Sequence, residues 1–307
     1  VTNYFSVHCR LLFLFLSVNL LITITLMTLA SVLGVGRYMT AAGIDYKALA
    51  GFCLLWGMGG SFISLLLSKT IAKFTMRVKT VDPERPGQFS WLVRRTHDLA
   101  RTAGLSGMPE VGVFENPSPN AFATGRSQNS SLVAVSTGLL NSMSEKEIEA
   151  VIAHEIAHIK NGDMITLTLI QGVLNAFTMF LARIIGFAIS QAMRSSDDRD
   201  NSPTMMTHLI VMVLDIVLGL LSMTVICWFS RKREFSADAG SAKILGSTAP
   251  MIAALKSLGA GRGIPQLESG QEAMAAFQIS GKSGGFASFF ATHPSLEDRI
   301  AALEAAR

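Results

Sequence analysis

Four long apolar stretches constrain this chain more than any other feature of its sequence. Residues 11–35 and 48–68 contain no charged side chain, and residues 164–193 and 209–230 contain one each. A helix of about 20 apolar residues, rising ~1.5 Å per residue, crosses the ~30 Å hydrocarbon core of a bilayer. The sequence therefore predicts a mainly α-helical integral membrane protein with about four transmembrane helices.

The third and fourth stretches are interrupted by Arg183 and Asp215, respectively. A lone charge in contact with lipid is costly, so each of these side chains should face protein or water. We expect the two to pair across an antiparallel hairpin, although Arg183 could instead extend toward a membrane interface. The same interruptions leave a second topology open, with two spans and a buried helical hairpin.

The charges outside these stretches are few and unevenly distributed. Charged residues make up 16% of the chain, against about 25% in an ordinary soluble domain, which excludes a purely soluble protein. Ten basic residues flank the predicted spans on one side and four on the other. The positive-inside rule places the side with ten in the cytoplasm. The net charge of +4 then reflects topology, and no nucleic-acid partner is expected.

This topology divides the chain into four segments. Residues 1–73 form an N-terminal transmembrane hairpin, and residues 164–230 form a second one. Residues 74–163 and 231–307 then lie on the cytoplasmic side, together with both termini. Because they share that side, these two polar segments can build one split domain.

The polar segments carry the periodicities of a small α+β domain. Helices are expected at 87–104, from a capping box at Ser144 and Glu147 to about 160, at 234–245 and at 296–306. Short strands are expected at 111–115, 120–124 and 132–136. Residues 259–285 hold seven glycines and read as a surface loop that could act as a lid.

One motif points to metal chemistry. His154-Glu155-Ile156-Ala157-His158 places two histidines four residues apart, on one face of a helix, so both imidazoles can reach one Zn²⁺. Glu155 then lies beside the metal, where it can take a proton from the attacking water. Apolar neighbours of the motif argue against the alternative of two surface histidines, because buried, unpaired imidazoles would be costly.

A third ligand has to come from another part of the chain, since a catalytic zinc usually has three protein ligands. Glu234 is the best candidate, because the hairpin of the third and fourth spans returns residues near 231 to the helix that ends near 163. Asp238, one helical turn further, can orient a ligating histidine. Without the paired histidines, Glu234 would be read as a solvated charge next to the membrane.

At this point the sequence resembles a known family, the HtpX-type membrane zinc metalloproteases, which are bacterial relatives of the CAAX prenyl-peptide protease. The resemblance covers essentially the whole chain. It rests on GGSFISLLLSK at 59–69, NAFATG at 120–125, SLVAVSTGLL at 131–140, AVIAHEIAHIKNGDM at 150–164, REFSADAGSAK at 233–243 and THPSLEDRI at 292–300.

The resemblance implies a zincin-like protease domain that holds one Zn²⁺ per chain through His154, His158 and Glu234. It makes Glu155 the general base, and it places Asp238 behind the ligands. The block at 292–300 would bring His293 to the cleft as an oxyanion-stabilising residue, with Arg299 nearby; alternatively, His293 is a surface residue before a helix.

The short strand of Asn120, Ala121, Phe122, Ala123 and Thr124 is suited to bind an extended substrate by strand addition. Main-chain hydrogen bonds of this kind confer little side-chain selectivity. The resemblance implies damaged or misfolded membrane proteins as substrates, in the quality control and stress response of a bacterial inner membrane.

Four further expectations concern alternatives and partners. A narrow-specificity prenyl-peptide-type protease should have more spans, and a non-catalytic scaffold with a structural zinc would not need Glu155. Gly281-Lys282-Ser283 lacks the first glycine and the strand of a phosphate-binding loop, so no nucleotide is expected. Any partnership with ATP-dependent membrane proteases would then be regulatory.

Overall fold

The computed structural model describes residues 24–29, 31–32, 39–40, 43–85, 87–193, 205–260 and 292–306. The chain forms two units. We call residues 1–64 with 168–225 the apolar unit, and residues 65–167 with 226–307 the polar unit.

Helices account for most of the described residues. They are α1 (Tyr46–Thr75), α2 (Ser90–Thr102), α3 (Thr137–Ser142), α4 (Glu145–Asn161), α5 (Asp163–Ala192), α6 (Met205–Leu245), α7 (Ala249–Gly259) and α8 (Leu296–Ala305). The strands are β1 (Met39–Thr40), β2 (Gly43–Ile44), β3 (Lys79–Thr80), β4 (Glu110–Phe114), β5 (Ala121–Ser127) and β6 (Ser130–Ser136). Residues 24–29 and 31–32 are also helical.

Three of the described helices, α1, α5 and α6, are long and apolar enough to cross a membrane. They contain the predicted spans at 48–68 and 209–230 and nearly all of the one at 164–193. Most of the span predicted at 11–35 lies outside the described residues. The helical conformation predicted for 234–245 is confirmed, but the expectation that a helix begins there was wrong, because α6 continues without a break from Met205 through Leu245. Residues 231–233 are Arg-Lys-Arg, which favour helix, so the chain has no reason to break where the apolar run ends.

Within the apolar unit, α1 and α5 approach closely at a glycine. A Cβ atom on Gly57 would lie 2.4 Å from the backbone nitrogen of Ala176, so only glycine fits there. The predicted pairing across the hairpin is confirmed, since a guanidinium nitrogen of Arg183 lies 3.8 Å from a carboxylate oxygen of Asp215. Arg183 also donates to the carbonyl of Met179 at 2.9 Å.

The polar unit is built on a four-stranded mixed sheet with the order β3-β4-β6-β5. β4 and β6 are parallel, while β3 and β5 pair antiparallel to their neighbours. The amphipathic helix predicted at 87–104 is confirmed: α2 buries Leu92, Val93, Thr96, Leu99 and Ala100. The four apolar residues among these share a core with residues of β4, β6, α4 and α7.

Local signals set both ends of α4. The carboxylate of Glu147 accepts from the backbone N–H of Ser144 at 2.8 Å, which is half of the predicted capping box. The helix ends at Asn161 because Gly162 adopts a left-handed conformation with φ of 68°. Gly162 alone separates α4 from α5, since α5 begins at Asp163.

Candidate metal centre

Three buried side chains of the polar unit converge on one point. The Nε2 atoms of His154 and His158 are 3.1 Å apart, and each lies 3.4 Å from a different carboxylate oxygen of Glu234. One ligand atom from each residue lies within 4.8 Å of the others. The histidines come from α4 and the glutamate from α6, as the spacing of the sequence predicts.

Glu234 reaches the histidines because the two helices pack closely. A Cβ atom on Gly240 of α6 would lie 2.7 Å from the Cβ atom of Ala157 on α4. The hydroxyl of Ser241 donates to the carbonyl of Ala150 at 3.0 Å. Small residues on both helices therefore bring the glutamate within reach of the paired imidazoles.

A carboxylate supports the far side of His154. Its Nδ1 atom lies 2.9 Å from Oδ1 of Asp238, although the angle there is poor for a hydrogen bond. Arg299 donates to both oxygens of Asp238, at 2.8 and 2.6 Å, and its side chain is only 1% exposed. Arg299 thus compensates a buried charge behind the ligand and lies away from solvent.

His158 has a support that the sequence argument missed. Its Nδ1 atom lies 2.6 Å from Oδ2 of Asp163, the first residue of α5. The only sequence signal was an aspartate directly after the helix-ending Asn161-Gly162, five positions beyond the histidine.

Two further side chains approach the third ligand. His293 lies just before α8, and its Nδ1 atom is 3.0 Å from Oε2 of Glu234. Its side chain is 24% exposed, so it borders solvent as well as the metal centre. Arg233, on the same helix as Glu234, approaches the other carboxylate oxygen at 3.6 Å.

The pKa values of both histidines are raised when no metal is bound. Burial disfavours the charged form of His154, but contacts with Asp238 and Glu234 outweigh it and raise the pKa of His154 to about 9. Burial acts on His158 in the same direction. There, Asp163 and Glu234 outweigh burial and raise the pKa of His158.

The carboxylates shift in the opposite direction. Burial would raise the pKa of Glu234, yet the surrounding imidazoles hold it well below its usual range. Burial would also raise the pKa of Asp238, but the hydrogen bonds from Arg299 and the contact with His154 lower it. Both carboxylates are thus anionic near neutral pH, as a cation site requires.

The residues present fit a metal ion. Two imidazole nitrogens point at each other from one helix, and Oε1 of Glu234 has no hydrogen-bond partner among the described residues. A set of two nitrogens and one carboxylate oxygen is typical of catalytic zinc sites. A cation at the centre would satisfy all three ligands at once.

Glu155 occupies the position expected of a base. It is buried on α4 directly after the first ligating histidine. The Glu155 carboxylate is also close enough to act on the charge of Arg299. Burial would lower the pKa of Arg299, but the carboxylates of Asp238, Glu234 and Glu155 together raise it.

The predicted edge strand lies next to the metal helix. β5 pairs only with β6 in the described chain and packs against α4. It begins at Ala121, so Asn120 precedes it, and the carbonyl of Asn120 accepts from the N–H of Ser136 at 2.8 Å. Along an antiparallel strand, the backbone groups of successive residues alternate between bonding to the neighbouring strand and pointing away from it. The backbone groups of Phe122 therefore bond to β6, while those of Ala121 and Ala123 point to the open edge.

Comparison with known proteins agrees with this geometry. The sequence profile of peptidase family M48 matches residues 86–307. A protein named Protease HtpX homolog from Variovorax paradoxus is 50% identical over 297 residues, covering 96% of this chain and 98% of the relative. One of the same name from Chlorobium phaeobacteroides is 50% identical over 296 residues, with the same coverage.

A solved structure shares the fold. The crystal structure of S. mikatae Ste24p matches with a TM-score of 0.57 at 20% identity. The match covers 83% of this chain but only 58% of the length of that protein.

A buried His/His/Glu cluster, together with three helices among the described residues that are long and apolar enough to cross a membrane, is typical of the class of membrane metalloproteases. The profile match and the full-length relatives make the assignment narrower. The chain belongs to peptidase family M48, in its HtpX group.

Proposed function

We propose that this protein is a zinc-dependent endopeptidase in which His154, His158 and Glu234 hold the metal and Glu155 is the general base. The observation that supports it most is the convergence of the three ligand atoms within 4.8 Å, with Glu155 on the same helix as the two histidines. Asp238 and Arg299 support the ligands from behind.

When bound, zinc would polarise the scissile carbonyl and lower the pKa of a water toward ~7. Glu155 accepts the proton of the attacking water and returns it to the leaving amine, so the proton count is balanced. His293 stabilises the negative charge that develops on the carbonyl oxygen, a contribution often worth about 3 kcal/mol per donor.

The substrate binds as an extended strand along the open edge of β5. The backbone groups of Ala121 and Ala123 are available there, on a strand that packs against the metal helix. Because such bonds read the main chain, the enzyme accepts many unfolded sequences. This supports broad quality control over the narrow specificity of a prenyl-peptide-type protease.

The decisive variant is Glu155→Gln in purified, detergent-solubilised protein with zinc and casein as an unfolded substrate. We expect casein cleavage to fall at least 100-fold, the usual loss when a general base is removed, while bound zinc is retained. Glu145→Gln is the matched control, because Glu145 is an exposed glutamate at the start of the same helix. Undiminished cleavage in Glu155→Gln refutes the mechanism, and a wild-type protein that binds zinc but cleaves nothing indicates the scaffold alternative.

The physiological setting we propose is the bacterial cytoplasmic membrane, with the metal centre and both termini in the cytoplasm. The excess of basic residues on one side of the spans supports this orientation. Its substrates are damaged or misfolded membrane proteins, cut without nucleotide during stress, and ATP-dependent membrane proteases are functional partners. Cleavage of a prenylated peptide but not of casein would instead favour the narrow-specificity alternative.

A further inference from the structure

The carboxylates behind the two proposed metal-binding histidines differ in their other charge partners. Asp238 lies behind His154 and forms a bidentate pair with Arg299. Asp163 lies 2.6 Å behind His158 and, within the described ranges, makes no ion pair with an arginine or a lysine. The contact to His158 is therefore the main charge interaction of the Asp163 carboxylate.

We infer that Asp163 is a positioning residue of the metal centre, which orients His158 and increases its affinity for the metal. The inference rests on the proposed zinc site. With the Nδ1 proton donated to Asp163, the lone pair of Nε2 faces the shared point of the three ligands. A carboxylate in this position also makes the imidazole a stronger electron donor.

The short link between the helices makes this contact possible. Gly162 is the C-cap of α4, and its carbonyl accepts from the N–H groups of Ile165 and Thr166 in the first turn of α5. One residue thus ends one helix and starts the next. The turn at Gly162 brings Asp163 against a histidine only five residues earlier, and its side chain is buried there.

The burial of Asp163 argues against a mere helix-start role. Acidic residues are common in the first turn of a helix, where they interact with the helix dipole and with solvent. Glu145 holds the same first position in α4, but it is exposed and forms no ion pair with a histidine of the described ranges. A carboxylate that only supported α5 would have no need to be buried against a ligand.

The test is zinc affinity of the full-length protein in detergent, measured by competition with a chromophoric chelator. We expect Asp163→Asn, which keeps the shape but loses the charge, to bind zinc 10–100-fold more weakly. Glu145→Gln is the matched control and should bind zinc like the wild type. The visible spectrum of the Co²⁺-loaded protein should also change in Asp163→Asn and not in Glu145→Gln, because it reports the ligand field directly.

A variant that folds less well remains informative if each protein is its own reference. The rise in melting temperature from the metal-free to the zinc-saturated form cancels the intrinsic loss of stability. A smaller rise in Asp163→Asn than in the wild type supports the inference. Affinity within about twofold of the wild type, while His158→Ala has lost zinc, overturns it and leaves the proposed function intact. A wild type without zinc affinity overturns both.

Discussion

Replacement of Arg299 by methionine tests how the metal centre tolerates its buried charge. The guanidinium is fully enclosed, donates to both oxygens of Asp238, and lies 3.8 Å from Glu234. Methionine keeps much of the apolar stem and removes the charge. Asp238 then loses two hydrogen bonds and its guanidinium partner, and its remaining contact is with His154.

Breaking a buried ion pair from one side costs about 3–5 kcal/mol, because a hydrogen-bonded charge partner is lost in a poorly solvated site. For a domain of 150–250 residues each kcal/mol corresponds to roughly 2–4 °C, so the melting temperature should fall by about 6–20 °C. The double variant Arg299→Met/Asp238→Asn should be more stable than Arg299→Met alone, because the stranded carboxylate is removed as well.

Thermal unfolding of the metal-free protein in detergent, with a chelator present, is the assay, so that zinc binding does not contribute. Arg95→Met is the matched control. Arg95 pairs with Glu149 at 2.8 Å, but it is 38% exposed, and a partly solvated pair is worth about 0–1 kcal/mol. The reasoning is refuted if Arg299→Met is no more destabilising than Arg95→Met, or if Asp238→Asn adds its full cost in the double variant.

Three further outcomes are expected. Ala123→Pro removes one outward N–H worth about 1 kcal/mol, so it should raise the KM of peptide cleavage about fivefold and leave kcat unchanged. Phe122→Pro should instead lower the melting temperature. Wild-type kinetics in Ala123→Pro would contradict substrate binding at the strand edge. Zinc binds the neutral imidazole, and the pKa of His154 is about 9 in the metal-free protein. Zinc affinity should therefore increase about tenfold per pH unit, for each proton displaced, as the pH rises from 6 toward 9. A zinc affinity, measured by competition titration, that does not change with pH would contradict this. Arg183→Ala and Asp215→Ala should each lower the melting temperature, and the double variant should be no worse than the worse single one; additive losses would mean the 3.8 Å contact contributes nothing.

Short-range signals accounted for most of the fold of the polar unit. The 3.6-residue periodicity of α2, the start of α4 near Ser144 and its end at Gly162 were all readable, because each depends on residues within a few positions. Strand boundaries shifted by one to three residues, since pairing partners and not propensity set where a strand ends. The helix α7 was missed because its apolar face is recognisable only from the core it joins.

The residues of the metal centre were likewise predictable only in part. His154 and His158 could be paired from their spacing, because a helix converts four residues into one face. Glu234 followed from the hairpin that returns the chain to the same place. The contact of Asp163 with His158 could not be predicted from the sequence, because it depends on the direction in which α5 continues from Gly162.

Sequence alone was sufficient to determine a membrane protein with a helical metal motif, since hydrophobic length and residue spacing are local properties. The arrangement around the ligands required the folded chain. Close packing of Gly240 against Ala157 sets the distance from Glu234 to the histidines, and the burial of Asp238 against Arg299 sets the charge behind them. Both are contacts between residues far apart in the sequence, and their energies depend on excluding water, which no local pattern records.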